Sequence, residues 1–159
     1  METVVVYSAQ NSNRLKFVLD WLLKERLQTD YRITNDEQEA IGLSSCIAYG
    51  KHLPNSISIP DEGLLWQTGT TRCEPQIGNW QEIPAIFASA DTASTLPFDL
   101  FSAIFYLLSR YEEYYPFTAD KHGRYPAVSS ILYKNGLLQR PVVDEWVHAF
   151  RQQLQAKMG

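Results

Sequence analysis

Cysteine is scarce: the 159 residues hold only Cys46 and Cys73, 27 positions apart and outside any C-x-x-C motif. Two thiols so spaced read as reduced and structural, and do not suggest a disulfide framework or a thiolate metal site. Histidine is also scarce, with only His52, His122 and His148, far apart and with no H-E-x-x-H. Glycine and proline number 8 each, too few for a collagenous or low-complexity chain. Positive charge is in deficit, with 14 Lys and Arg against 18 Asp and Glu. The deficit holds on both sides of residue 80, 7 basic to 10 acidic before it and 7 to 8 after. Neither half carries the footprint of a phosphate-backbone binder, so nucleic acid is not expected as a partner. No run approaches the roughly 18 apolar residues of a membrane helix, Leu96 to Leu108 being broken by Pro97, Asp99 and Ser102. The opening Met1-Glu2-Thr3-Val4 lacks the positive start and apolar stretch of a signal peptide, so a cytoplasmic location is expected.

Hydrophobic residues make up 45% and aromatics 13%, enough to drive folding without metal or disulfide. A chain of this length buries roughly 68–70% of the surface its unfolded form exposes. Residues 1–159 are therefore expected to form one domain.

The order of patterns points to an α/β fold. Val4 to Tyr7 is a β-branched run suited to a buried strand. Asn11-Ser12-Asn13 then supplies N-cap candidates for a helix near 15–27 bearing Leu15, Val18, Leu19, Leu22 and Leu23 on one stripe. Tyr31–Thr34, Cys46–Tyr49 and Ser56–Ile59 read as further strands. The short Gly50–Asn55 connection suggests that the last two form a hairpin, with parallel pairing in a wider sheet as the alternative. Residues 61 to 82 read as a long irregular stretch carrying Trp66 and Trp80, and residues 83 to 88 as the last strand of the sheet. A helix is expected over 97–114, with Thr95 as N-cap and Asp99 in its first turn, and another over 141–157. Together these predict a three-layer α/β domain: a central sheet of four or five strands with about three packed helices.

The densest polar and aromatic segment runs from Ser109-Arg110-Tyr111-Glu112-Glu113-Tyr114 to Asp120-Lys121-His122-Gly123-Arg124-Tyr125. Arg110, Glu112, Glu113, Asp120, His122 and Arg124 are the candidate interaction residues, Arg110 and Glu113 being spaced to pair across one helical turn. Gly123 supplies a left-handed turn between His122 and Arg124. Two readings compete: a pocket holding a small molecule, glycan or partner loop, or a helix end stitched to its following loop by charge-assisted hydrogen bonds. Asp120-x-His122 is at most two metal ligands, a third having to come from a residue such as Asp144 or His148, so neither a metal nor a cofactor is expected. Nothing marks either thiol as an activated nucleophile, and no G-x-S-x-G, G-x-G-x-x-G or Walker A motif occurs. No catalytic residue is assigned. Ser8 to Asn13 offers an anion site or simple helix capping. Trp21 and Trp146 sit at helical spacing as core residues, while Trp66 and Trp80 are candidates for stacking on sugars.

Four fragments together resemble one family: Pro97-Phe98-Asp99, Phe105 to Tyr114, Asp120 to Tyr125, and Arg140-Pro141-Val142-Val143-Asp144-Glu145-Trp146. They are similar to an uncharacterised N-terminal domain that precedes polysaccharide-deacetylase-like (NodB-type) domains in Bacteroidetes and related bacteria. The resemblance covers nearly the whole chain and implies an accessory role beside a carbohydrate-active domain of the same protein. The deacetylase motifs, a metal-binding Asp with an H-x-x-x-H pair, are not in this sequence, so no catalytic residue carries over. A NodB-type barrel needs more chain than follows Trp146. The expectation is therefore an isolated accessory domain, cut from a longer protein or left in a short relative that lost the enzyme.

Overall fold

The computed structural model describes residues 3–41, 43, 45–70, 72–91, 93–114, 123, 130–137 and 139–158. Strand β1 (Val4–Ser8) is buried along its whole length and forms the middle of the molecule. Ser12, in an extended conformation, accepts a hydrogen bond from the Leu15 N–H and so starts α1 (Asn13–Leu19). The helix continues as a π-wound segment, Asp20–Arg26, closed by a Leu27 N–H to Leu22 carbonyl bond of 3.0 Å. Leu15, Val18, Leu19, Leu22 and Leu23 are all fully buried, so the expected apolar stripe faces the sheet. The chain then lays down β2 (Tyr31–Thr34), the single-turn α2 (Glu37–Ala40), β3 (Cys46–Tyr49) and β4 (Ser56–Ile59).

These four strands form one parallel sheet in the order β2-β1-β3-β4. The registers run Val6 opposite Ile33 and Ile47, and Ile47 opposite Ile57. The central strands are buried on both faces, which is why they read as nearly continuous apolar runs. Val4, Val6, Ile47, Tyr49, Ile57 and Ile59 belong to the main core. Tyr7, Cys46 and Ala48 face a smaller cluster closed by Ala40 and Leu53.

Strands β3 and β4 take the parallel arrangement, not the hairpin. Residues 50–55 carry the chain back along the sheet, beginning at Gly50 (φ 82°) and ending at Asn55 (φ 59°). Four residues of strand span about 13 Å, and six can reach about 20 Å, so the connection is long enough. Leu53 plugs the small cluster on the way, and the Gly50 N–H donates to the Ile59 carbonyl at 2.8 Å.

The next strands form a separate antiparallel pair, β5 (Ile77–Trp80) with β6 (Ile83–Ile86). Residues 83–88 are therefore not the last strand of the central sheet, and part of the stretch read as irregular is β5. Gly78 permits the fold there, since a Cβ would lie 2.7 Å from the Ala88 Cβ. Pro84, on β6, gives its carbonyl to the Trp146 indole N–H at 2.9 Å.

Helix α3 (Leu100–Leu108) is shorter than the expected 97–114 at both ends. Asp99, not Thr95, is its N-cap, while the Thr95 hydroxyl accepts from the Ser58 N–H at 2.9 Å. The helix ends at Arg110, whose φ of 55° breaks the winding before a 3-10 turn at Tyr111–Tyr114. A short α4 (Ile131–Lys134) lies between the two helices expected at 97–114 and 141–157, and α5 (Val142–Met158) closes the described chain. Val142, Trp146, Val147, Phe150 and Leu154 are buried along α5, while Val143 is half-buried. The result is an α/β fold in which the main core joins the sheet to α1, α3, α5 and the β5–β6 pair.

Candidate functional site

The described part of the predicted polar segment is bonded internally. Glu112 Oε2 accepts the Ile131 N–H at 2.8 Å, so this carboxylate tethers the turn after α3 to the start of α4. Burial pushes the Glu112 carboxyl up, opposed by that N–H and by Lys134. Arg110 forms an ion pair with Glu113, but its side chain is 75% exposed. Gly123 has the left-handed backbone expected of it (φ 77°). Asp120, His122 and Arg124 lie outside the described residues. Asp144 pairs with Arg26 at 3.0 Å, and exposed His148 shares an open groove with Asp144 and Glu145. Among the described residues no three His, Cys, Asp or Glu side chains gather as a metal site. Both cysteines are free, and burial pushes the Cys46 thiol up, the opposite of activation.

A different set of residues comes together at the carboxyl ends of the strands. In a parallel sheet of order β2-β1-β3-β4, connections leave β1 and β3 toward opposite sides, so a crevice opens between their ends. Here it is lined by Tyr7, Ser8 and Gln10 from β1 and its exit, Tyr49 to Lys51 from β3, and Asp61 and Trp66 from the segment after β4; its volume is about 290 Å³. A second crevice of about 280 Å³ lies between the ends of β1 and β2.

The walls are held by a short list of bonds. Asp61 Oδ1 accepts the Gly63 N–H at 2.8 Å and Oδ2 accepts the Trp66 indole N–H, fixing the indole over the ends of the strands. The 3-10 turn Leu64–Trp66 is fastened to the start of α1: the Ser12 hydroxyl donates to the Leu65 carbonyl at 2.7 Å and the Arg14 guanidinium to the Leu64 carbonyl at 2.9 Å. Ser12 thus serves as a cap and a tether. Arg14 also stacks over the Phe105 ring at 4.9 Å.

Beneath the crevice lies a buried polar knot. Asp99 is fully buried, and its carboxylate accepts the Tyr49 hydroxyl at 2.8 and 3.0 Å, the Ser102 hydroxyl at 2.6 Å, the Ser102 N–H at 3.0 Å and the Glu62 N–H at 2.8 Å. Burial pushes its carboxyl up to about 7 against the pull of these donors, and burial with the nearby Asp99 raises the Tyr49 hydroxyl well above its usual value. The Ser8 hydroxyl donates to the Gln10 carbonyl at 2.6 Å. Lys51 pairs with Glu37 at 2.7 Å. The arrangement is built to hold a shape, with these hydroxyl protons spent on internal bonds.

A model of a family of unknown function, DUF7033, matches residues 4–159, which spans the sheet, the crevice and α5. The chain belongs to DUF7033. No curated protein and no solved structure matches it.

Sequence reasoning reached several of the crevice residues singly. Ser8 to Asn13 stood out as polar and Trp66 as an open aromatic, but nothing in their spacing joins positions some 50 residues apart. Trp80 is a core residue, packed on Phe98 with ring centroids 5.6 Å apart, and is not available for stacking on a ligand. Trp21, expected in the core, is half-buried with the Arg26 guanidinium 5.1 Å from its ring centroid. Among the described residues no helix is long and apolar enough to cross a membrane.

Proposed function

We propose that this chain is a non-catalytic accessory domain that docks on a polysaccharide-deacetylase-like domain of the same protein in the cytoplasm. The reading rests on the sequence resemblance running from Pro97 to Trp146. The observation that carries the non-catalytic part is the use of Glu112: its carboxylate is committed to a backbone N–H of α4, a scaffolding role, and Glu113 is occupied by Arg110. A general acid or base needs a carboxylate facing a substrate, not one tied to backbone. The exposed Arg110 side and the chain that follows it would then form the contact surface.

The test begins with the parent gene. A downstream domain with an H-x-x-x-H pair supports the accessory role, and a stop codon after Gly159 overturns it. Where that domain exists, calorimetric titration of it with the 159-residue chain is expected to give a saturable heat that Arg110→Ala weakens. No heat, or turnover of acetylated glycans by the 159-residue chain alone, refutes the reading.

A further inference from the structure

We propose that the crevice between the carboxyl ends of β1 and β3 binds a neutral polyhydroxylated ligand about the size of one sugar ring, with Trp66 as its stacking face. The inference is independent of any docking role. Open parallel α/β sheets bind ligands outside the carboxyl ends of their strands where the connections diverge, and this crevice has that position. Its volume of about 290 Å³ is at the lower limit of small-molecule pockets, which suits a single ring.

The lining narrows the chemistry. Lys51 is the one cation in the wall and is paired with Glu37, while Asp61 contributes one negative charge, so nothing favours a phosphate or a strongly charged ligand. Ser8, Gln10, Lys51 and Asp61 make the wall too polar for a purely apolar guest. Each Asp61 oxygen accepts one protein hydrogen bond and keeps a lone pair for a ligand hydroxyl. Trp66 is half-buried and its tilt is fixed through its indole N–H. Tyr7, 4% exposed on β1, also lines the crevice, and the Tyr49 ring lies 5.9 Å from that of Trp66 and is inclined to it at 54°. Two rings so inclined make no parallel slot for a flat heterocycle. The half-buried Trp66 face with a rim of donors and acceptors matches a pyranose, which has a C–H face and a ring of hydroxyls.

The experiment uses the 159-residue chain and, as probes, glucose, galactose, mannose and N-acetylglucosamine, with adenosine and inorganic phosphate as competitors in class. Saturation-transfer NMR and the indole N–H shift of Trp66 report binding. At least one sugar is expected to bind with a Kd of about 1 mM, moving the Trp66 signal. Gln10→Ala and Trp66→Phe are expected to weaken it about threefold and tenfold, with the fold intact by circular dichroism. Trp66→Phe keeps a ring against Tyr49, so its outcome does not depend on a fragile variant. Failure of every sugar to bind overturns the proposal, as does sugar binding unchanged in both variants. Adenosine or phosphate binding in place of sugar overturns the ligand class.

Discussion

Replacing Asp99 with Asn puts a steric near-match at the base of the crevice and changes only its hydrogen-bonding sense. In the folded chain both oxygens accept, Oδ1 from the Ser102 N–H and Oδ2 from the Glu62 N–H, with the Tyr49 and Ser102 hydroxyls completing the shell. The hydroxyls can rotate to meet an amide NH2, but the two backbone N–H groups cannot. Whichever way the amide is turned, one buried N–H faces another donor, which costs about 1–3 kcal/mol. A protonated carboxyl escapes this, since both its oxygens still accept. The comparison must therefore be made where Asp99 is neutral. Its folded value of about 7 lies above the ordinary 3.8, so the folded chain binds the extra proton between roughly pH 4 and 7. Stability from this group is thus full below the unfolded value and falls as pH rises through the folded one. The loss approaches the order of 4 kcal/mol above pH 7, taking 1.36 kcal/mol per unit over the interval. Urea unfolding at about pH 3.5, below the unfolded value, is expected to show Asp99→Asn less stable than the parent by about 1–3 kcal/mol. The gap should close, or reverse, at about pH 8, because only the parent then buries a charge. A gap that stays constant or widens with pH refutes the argument.

Three further outcomes follow from the packing. Glu112→Ala leaves the Ile131 N–H without its carboxylate and is expected to cost about 1 kcal/mol in urea unfolding, with Glu112→Gln, which keeps an acceptor oxygen, recovering most of it. Glu113→Ala breaks a pair whose arginine is largely in water, so a loss of under about 1 kcal/mol is expected, and a larger one would mean the pair is better buried than described. Gly78→Ala drives a methyl to 2.7 Å from the Ala88 Cβ, and a drop of about 1–3 kcal/mol is expected in thermal unfolding; no change would show that the β5–β6 pair yields without cost.

Much of the fold was legible because burial and periodicity coincide. The stripe from Leu15 to Leu23 is buried as its spacing demands, and the run of Val4 to Tyr7 is buried on both faces. Helix α3 was harder. Phe98 continues its apolar pattern backward, but that residue bridges to Ala88 in extended conformation, and the helix begins only when Asp99 caps it. Its far end was misread because Tyr111 to Tyr114 keep a helical composition, whereas Arg110 at φ 55° has already broken the winding. β5 was missed because Ile77-Gly78-Asn79-Trp80 has a glycine at its second position, a residue that weakens strand patterns. The requirement for that glycine appears only when Ala88 is seen across from it.

The candidate site depends on one direction of travel that composition does not encode. Had β3 and β4 formed the hairpin, β4 would end beside the start of β3, and Asp61 and Trp66 would emerge at the opposite end of the sheet from the exits of β1 and β3. Because the strands run parallel, Ile59 ends opposite Tyr49, and the Asp61–Trp66 segment lies over the exits of β1 and β3. The Tyr49 hydroxyl can then reach Asp99, Asp99 can take the Glu62 N–H, and Ser12 and Arg14 can hold the Leu64–Trp66 turn. The bonds made by Glu62, Leu64 and Leu65 depend on where β4 ends, and so on the parallel arrangement. The crevice and the polar knot beneath it are therefore consequences of a single topological choice, made where Gly50 turns the chain and Leu53 anchors its return.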